Sequence, residues 1–249
     1  MDLFEGEWSS RFPAGSGLDG GGPVGLFEDV RIDWMVEQLG GVAGQRILDL
    51  GPLEGGHAYR LETAHDAAEI VAVEANRRAY LKCLIAKETF GMARSRFLLG
   101  DFNRYMAEAG ERFDLVVASG VLYHMEDPAE HIELLCSVAD SVFVWTHYYD
   151  ADLIADIGPQ VDRKFTESER VVHDGYSHVR YRQEYLEALG WGGFCGAGRE
   201  SANWLELADI EGLFGHYGFE FAATGFHKPD HPHGPSLAFV ARRRRSGPA

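Results

Sequence analysis

The sequence predicts an α/β fold built on a mostly parallel sheet with helices on both faces. Three observations predict it. Short, almost continuous apolar runs recur along the chain, as strands buried on two faces require. Segments with apolar residues at helical spacing alternate with these runs. Glycine, asparagine or aspartate stands at most of the junctions, where turns and helix caps need them. Length agrees, since 249 residues with 45% hydrophobic content can bury the core of one sizeable domain.

The elements follow in order. Residues 1–25 carry Phe4, Trp8 and Phe12 ahead of Gly20-Gly21-Gly22-Pro23, and are expected as a flexible arm or lid. From Leu26 to Leu39, Phe27, Val30, Trp34 and Met35 recur at helical spacing, and Gly40-Gly41 ends the helix. Arg46 to Leu50 reads as the first strand. A turn containing Gly51 and Gly55 follows, then a helix from about Gly56 to His65. Glu69–Glu74 is the second strand, and Asn76 is placed to cap a helix that runs to Phe90 and stops at Gly91. Arg96–Gly100 is the third strand, with a short helix after Asp101. Phe113–Ser119 is the fourth, Asp127-Pro128 opens another helix with proline at a permitted position, and Val142–Thr146 is the fifth. Residues 26–147 form the cofactor-binding half.

Beyond Tyr148 the pattern dissolves into polar, aromatic and glycine residues. A stretch as long as 148–200 is expected as an insertion that works as a substrate lid. Residues 201–249 close the fold with a helix over Ser201–His216, strands at Phe219–Phe226 and Ser236–Arg242, and a basic tail, Arg242–Arg245.

Charge limits the partners. With 23 basic against 39 acidic residues the formal net charge is -16, a field that repels nucleic acid. A small-molecule acceptor is the expected partner. Cys83, Cys136 and Cys195 are odd in number and far apart, which fits neither a disulfide framework nor a metal-ligand set. With no basic leader and no bilayer-length apolar run, a cytoplasmic protein without a membrane partner is expected, and a homodimer is compatible with that.

In a parallel sheet, ligands bind beyond the carboxyl ends of the strands, so the strand ends name the site. The first strand gives Asp49 and the turn with Gly51 and Gly55. The second gives Glu74, an acid spaced to accept hydrogen bonds from two ribose hydroxyls. The third gives Asp101-Phe102, an acceptor for an exocyclic amine beside a ring that suits an adenine face. The fourth gives Ser119 with Tyr123-His124, and the fifth gives His147-Tyr148-Tyr149. No cation follows the first turn to hold a phosphate, so a positively charged nucleoside fits this order of acids better.

On Asp49-Leu50-Gly51 with Gly55, Glu74, Gly100-Asp101-Phe102 and Phe113-Asp114-Leu115-Val116, the chain resembles the class I S-adenosylmethionine-dependent methyltransferases over about Leu26–Arg242. That resemblance implies a Rossmann-like, seven-stranded sheet with the last strand antiparallel and S-adenosylmethionine as cofactor. It implies Gly51 and Gly55 at the methionine end, Glu74 at the ribose, and Asp101 and Phe102 at the adenine. The family usually has glycine where this chain has Leu53, and Pro52 is also unusual there. Residues Gly120–Pro128 resemble the segment after the fourth strand in bacterial enzymes that carboxymethylate the wobble uridine of transfer RNA; there Tyr123 matches a tyrosine implicated in holding a carboxylated cofactor.

Methyl transfer needs alignment first, and a base only where the acceptor must lose a proton. His124 and His147 are the candidate bases because imidazole titrates near neutrality. Tyr123, Tyr148, Tyr149, Arg182, His231 and His233 are the candidate substrate contacts, the arginine suiting a carboxylate or phosphate. Trp191 and Phe194 belong to the same insertion, Cys195 reads as a small buried hydrophobe, and no metal site is assigned. The expected activity is methylation of an oxygen or nitrogen of a small molecule. The alternatives are a cofactor-binding regulatory protein without turnover, a carboxymethyl or methyl transferase acting on tRNA, and a nicotinamide-dependent oxidoreductase, for which the three-glycine turn is absent.

Overall fold

The computed structural model describes residues 4–190 and 199–244. The expectations for Trp191, Phe194, Cys195 and Arg245 lie outside the described residues. The helices are α1 (Val30–Leu39), α2 (Gly56–Ala64), α3 (Arg77–Phe90), α4 (Phe102–Glu108), α5 (Pro128–Val138), α6 (Ala151–Ile157), α7 (Pro159–Asp162) and α8 (Leu207–His216). The strands are β1 (Arg46–Leu50), β2 (Glu69–Glu74), β3 (Ser95–Leu99), β4 (Phe113–Ser119), β5 (Ala139–His147), β6 (Phe165–His173), β7 (Tyr176–Glu184), β8 (Ser201–Trp204), β9 (Phe219–Lys228) and β10 (Ser236–Arg243).

Among the described residues seven strands form one sheet, in the order β3-β2-β1-β4-β5-β10-β9, and three form a second, β6-β7-β8. The α/β, Rossmann-like architecture expected from the sequence is therefore present. The chain divides into two compact units, residues 1–117 and 118–249.

In the first unit β1 runs parallel to β2 and to β4, and β2 parallel to β3. Ile47, Leu48 and Leu50 are at most 1% exposed, as strands covered on both faces demand. The caps sit where local chemistry puts them. Asn76 accepts from Arg78 N and Ala79 N, Asp101 from Asn103 N and Arg104 N, and Gly40 and Gly91 take left-handed φ after their helices. The N-terminal aromatics Phe4, Trp8 and Phe12 are buried with Phe27 against Phe90 and Tyr59. They cover the first unit's own helices.

In the second unit β10 runs antiparallel to both β5 and β9, pairing Ser236 with His147 and so bringing the 229–235 loop to the carboxyl end of β5. Arg242 and Arg243 belong to β10, so the basic cluster begins inside a strand. The 148–200 segment is ordered where described: α6 and α7 lead into a β6-β7 hairpin. Asp174 and Gly175, with φ of 45° and 82°, make its two-residue turn. One sequence expectation needs correcting. The helix expected over Ser201–His216 begins only at Leu207, because Ser201–Trp204 pair with β7 as a third strand. That pairing satisfies backbone groups that a helical reading would have assigned locally.

Candidate active site

The first unit presents the acids of the strand ends. Asp49 is 1% exposed, and both its carboxylate oxygens lack a hydrogen-bond partner among the described residues. Burial pushes its pKa up to about 7, against a lowering influence of His57 and a further raising one of Glu74. An acceptor so buried and so poorly satisfied fits a cationic or donor-rich ligand group. Glu74, also buried, accepts from Asn76 N at 2.8 Å through Oε1 and from Leu53 N at 3.1 Å through Oε2. Desolvation raises its pKa, while these backbone donors and that of Ala75 oppose the rise.

The unusual Pro52-Leu53 turn is thereby explained. Leu53 adopts a left-handed φ of 54°, the conformation in which the family usually places glycine, and Glu74 ties down its N–H. Gly51 and Gly55 are left-handed as well, with φ of 62° and 81°. A Cβ on Gly55 would sit 3.1 Å from the Phe97 ring. Behind the turn, Asp29 bonds His57 at 2.9 Å and also Arg31; burial opposes its ionisation, but these partners hold its carboxyl well below the usual range. Asp101 spends Oδ1 on the α4 cap, while Oδ2 makes no hydrogen bond among the described residues. Phe102, the first residue of α4, is half-buried.

In the second unit Ser119 ends β4, half-buried, and the backbone N–H of the next residue, Gly120, donates to Trp145. His147 ends β5 at 5% exposure. Its Nδ1 lies 2.8 Å from the Gly234 carbonyl and 3.3 Å from that of Pro235. A carbonyl only accepts, so Nδ1 carries the proton and Nε2 holds the lone pair of the neutral ring. Burial lowers the pKa to about 4, with neighbouring His231 and His233 acting in the same direction. The imidazole is therefore neutral at physiological pH.

The structure brings several expected residues to His147. Tyr123 meets it edge-on at 4.7 Å between ring centroids, and His231 at 4.9 Å. His124 lies against Tyr123 at 4.2 Å and bonds the Tyr185 hydroxyl through Nδ1 at 2.7 Å; burial lowers its pKa to about 4. Other residues are engaged elsewhere. Tyr148 is buried with its hydroxyl 2.8 Å from His227 Nε2, and Tyr149 stacks flat on Tyr181 at 3.6 Å. His233 is exposed beside His231, 5.5 Å between ring centroids. Arg182 sits on β7 next to Tyr181 and so points to the opposite face from the tyrosine stack, where Glu184 holds it at 2.6 Å.

Trp204 was missed as a site residue, because its place beside His147 depends on β8 pairing with β7. No local signal announces it. Among the described residues no group of three His, Cys, Asp or Glu side chains is arranged to hold a metal, and no helix is long and apolar enough to cross a membrane.

Comparison with known proteins places this geometry. A family described as "Methyltransferase domain" matches residues 42–212. The tRNA U34 carboxymethyltransferase of Psychrobacter cryohalolentis is 25% identical over 132 residues, covering 47% of this chain and 36% of that protein. The ubiquinone biosynthesis O-methyltransferase of Aeromonas salmonicida is 24% identical over 125 residues, 47% of this chain and 48% of that one. The chain thus spans less than half the length of these curated relatives. Among solved structures, the N-terminal domain of EvdMO1, determined with SAH and D-fucose, superposes with a TM-score of 0.68 at 22% identity, covering 95% of this chain and 91% of that one. Magnesium protoporphyrin IX methyltransferase from Synechocystis, with bound SAH, gives 0.58 at 21% identity, covering 87% and 81%. These two likenesses establish a shared fold. The family match extends over most of the chain and takes in the turn after β1, the acids ending β1 and β2, and His147, so the chain belongs to the methyltransferase domain family.

Proposed function

We propose that the chain is an S-adenosylmethionine-dependent methyltransferase that acts on an oxygen or nitrogen of a small molecule. The single observation that carries the cofactor reading is Asp49, a carboxylate buried at the end of β1 with neither oxygen partnered among the described residues. Such a group suits the cationic, donor-bearing methionine end of the cofactor, whose bound sulfonium supplies an already activated methyl group. Gly51 and Gly55 keep the turn open beside it. Glu74, held in place by backbone donors at Leu53 and Asn76, is the acid placed to accept from a ribose hydroxyl. Asp101 Oδ2, without a hydrogen bond among the described residues, is offered to an exocyclic amine, with Phe102 next in the chain.

In the second unit His147 is the base we favour. Its Nδ1 proton is fixed on a carbonyl, so Nε2 takes the proton that a hydroxyl or amine acceptor gives up. Tyr123 and His231 flank that ring as substrate contacts, and His124 with Tyr185 stands next to them. Magnesium protoporphyrin IX methyltransferase and a 1,6-didemethyltoxoflavin N1-methyltransferase share the fold, which supports a small-molecule acceptor. A second reading, transfer to tRNA, is favoured by the tRNA U34 carboxymethyltransferase relatives and by Tyr123, and opposed by the net charge of -16.

Calorimetry with S-adenosylhomocysteine tests the cofactor reading, with binding expected and weakened in Glu74→Ala and Asp101→Ala. No binding up to millimolar ligand, or unchanged binding in both variants, overturns it. Binding without label transfer from methyl-labelled S-adenosylmethionine to any extract fraction would favour a regulatory protein. With an acceptor fraction in hand, His147→Gln is expected to bind the cofactor product normally and to lose transfer.

A further inference from the structure

We infer that Trp204 is a positioning residue for His147, holding the imidazole by its face and fixing, through Gly234, which ring nitrogen is offered as the proton acceptor. The inference rests on the reading of His147 as the base. Trp204 ends β8, is 3% exposed, and lies parallel to the imidazole, with 7° between the planes and 5.2 Å between centroids. The indole is itself fixed from behind. Phe165 abuts it edge-on at 5.1 Å, and the β7 pairing sets Trp204 opposite Tyr181.

Gly234 connects the stack to the tautomer. A Cβ at this position would stand 2.6 Å from the far edge of the indole, and its φ of 121° is one that side-chain-bearing residues rarely adopt. Only a glycine can therefore run beneath Trp204. Its carbonyl is the same group that accepts the hydrogen bond of the His147 Nδ1–H at 2.8 Å. The indole thus controls both the plane of the imidazole and the path of the backbone that orients it.

A further detail points to the ring face as the retained feature. The Trp204 Nε1 is buried without a hydrogen-bond partner among the described residues, a state that costs stability and that a phenylalanine or leucine would avoid. Keeping tryptophan there is accounted for by the broad flat surface that His147 rests on. The other rings around His147 meet it at steep angles, Tyr123 at 78°, Trp145 at 67° and His231 at 61°, so among the described residues the parallel contact is that of Trp204.

The test is nitrogen-15 and carbon-13 NMR of His147 in the whole protein, which needs no methyl acceptor. In the wild type the ring is expected as the Nδ1–H tautomer, staying neutral well below pH 6. Trp204→Leu is expected to mix the tautomers and to raise the proton affinity of the ring about tenfold as water and ring motion enter. Trp204→Phe, which keeps an aromatic face and lacks the N–H, is expected to restore both signatures. A wild-type ring in the Nε2–H tautomer overturns the proposal without any variant. So does a folded Trp204→Leu protein in which His147 titrates unchanged. Failure of the base reading appears separately, as methyl transfer that survives His147→Gln.

Discussion

Glu54 and Lys82 form an ion pair of 2.8 Å in which the carboxylate is wholly buried and the lysine only 8% exposed. The same carboxylate accepts the backbone N–H groups of Ser9 and Ser10, and the same ammonium reaches the carbonyl of Glu7. One residue of the turn after β1 thereby binds α3 and the N-terminal segment together. Glu54→Ala strands a buried ammonium and two backbone donors, and should cost about 3–5 kcal/mol of unfolding free energy. Replacing both partners by apolar residues of similar size should cost less. Urea denaturation of the single and paired variants measures the difference.

Leu53 should reveal its backbone strain in a paired comparison. Both Leu53→Ala and Leu53→Gly remove the side chain, but only alanine keeps a Cβ at the left-handed φ of 54°. The glycine variant should be more stable than the alanine variant by about 1 kcal/mol, read from urea midpoints. Equal stability would show that the turn relaxes to another conformation.

Asp101 has two jobs that substitution can separate. Its Oδ1 caps α4, which asparagine also does, so Asp101→Asn should keep stability where Asp101→Ala loses about 1 kcal/mol. Neither variant leaves an anionic acceptor at Oδ2. Both should therefore bind S-adenosylhomocysteine about tenfold more weakly by calorimetry, a loss typical of one hydrogen bond to a charged group.

Stability should vary with pH through groups of opposite sign. Burial lowers His131 to about 3 and His147 to about 4 from the ordinary 6.5. Between those values and 6.5 the unfolded chain binds protons that the folded chain refuses, so this stability is complete above about 6.5 and is lost on acidification, with a limiting slope of about 1.4 kcal/mol per pH unit for each group. Asp49 acts in reverse. Burial raises it from 3.8 to about 7, so the folded state holds the extra proton and stability falls as pH climbs between those values. Asp49→Asn should remove that opposing slope, make the unliganded protein more stable at about pH 8, and weaken S-adenosylhomocysteine binding. Urea titrations across this range, paired with calorimetry, check all three.

Much of the first unit was legible because its signals are local. Asn76 and Asp101 cap helices through donors two and three residues away, Gly40 and Gly91 end helices through their own φ, and β1 and β2 declare themselves by continuous burial. The second unit was harder to read. β6 is exposed along most of its length, so it lacks the alternation that marks a strand. Its Asp174-Gly175 turn was the one available hairpin signal. Ser201–Trp204 reads as helix in isolation and becomes a strand because β7 is there to pair with it.

The sequence by itself determined an α/β chain with acids in order at successive strand ends and with two candidate histidines, since composition, periodicity and spacing are written within a few residues. Tertiary structure alone decided how those residues are used. It left Asp49 without a hydrogen-bond partner among the described residues, turned Arg182 away from the tyrosine stack, and placed Trp204 and the Gly234 carbonyl on His147. These outcomes depend on contacts between residues far apart in the chain, where burial and pairing set both the protonation state and the direction of a side chain.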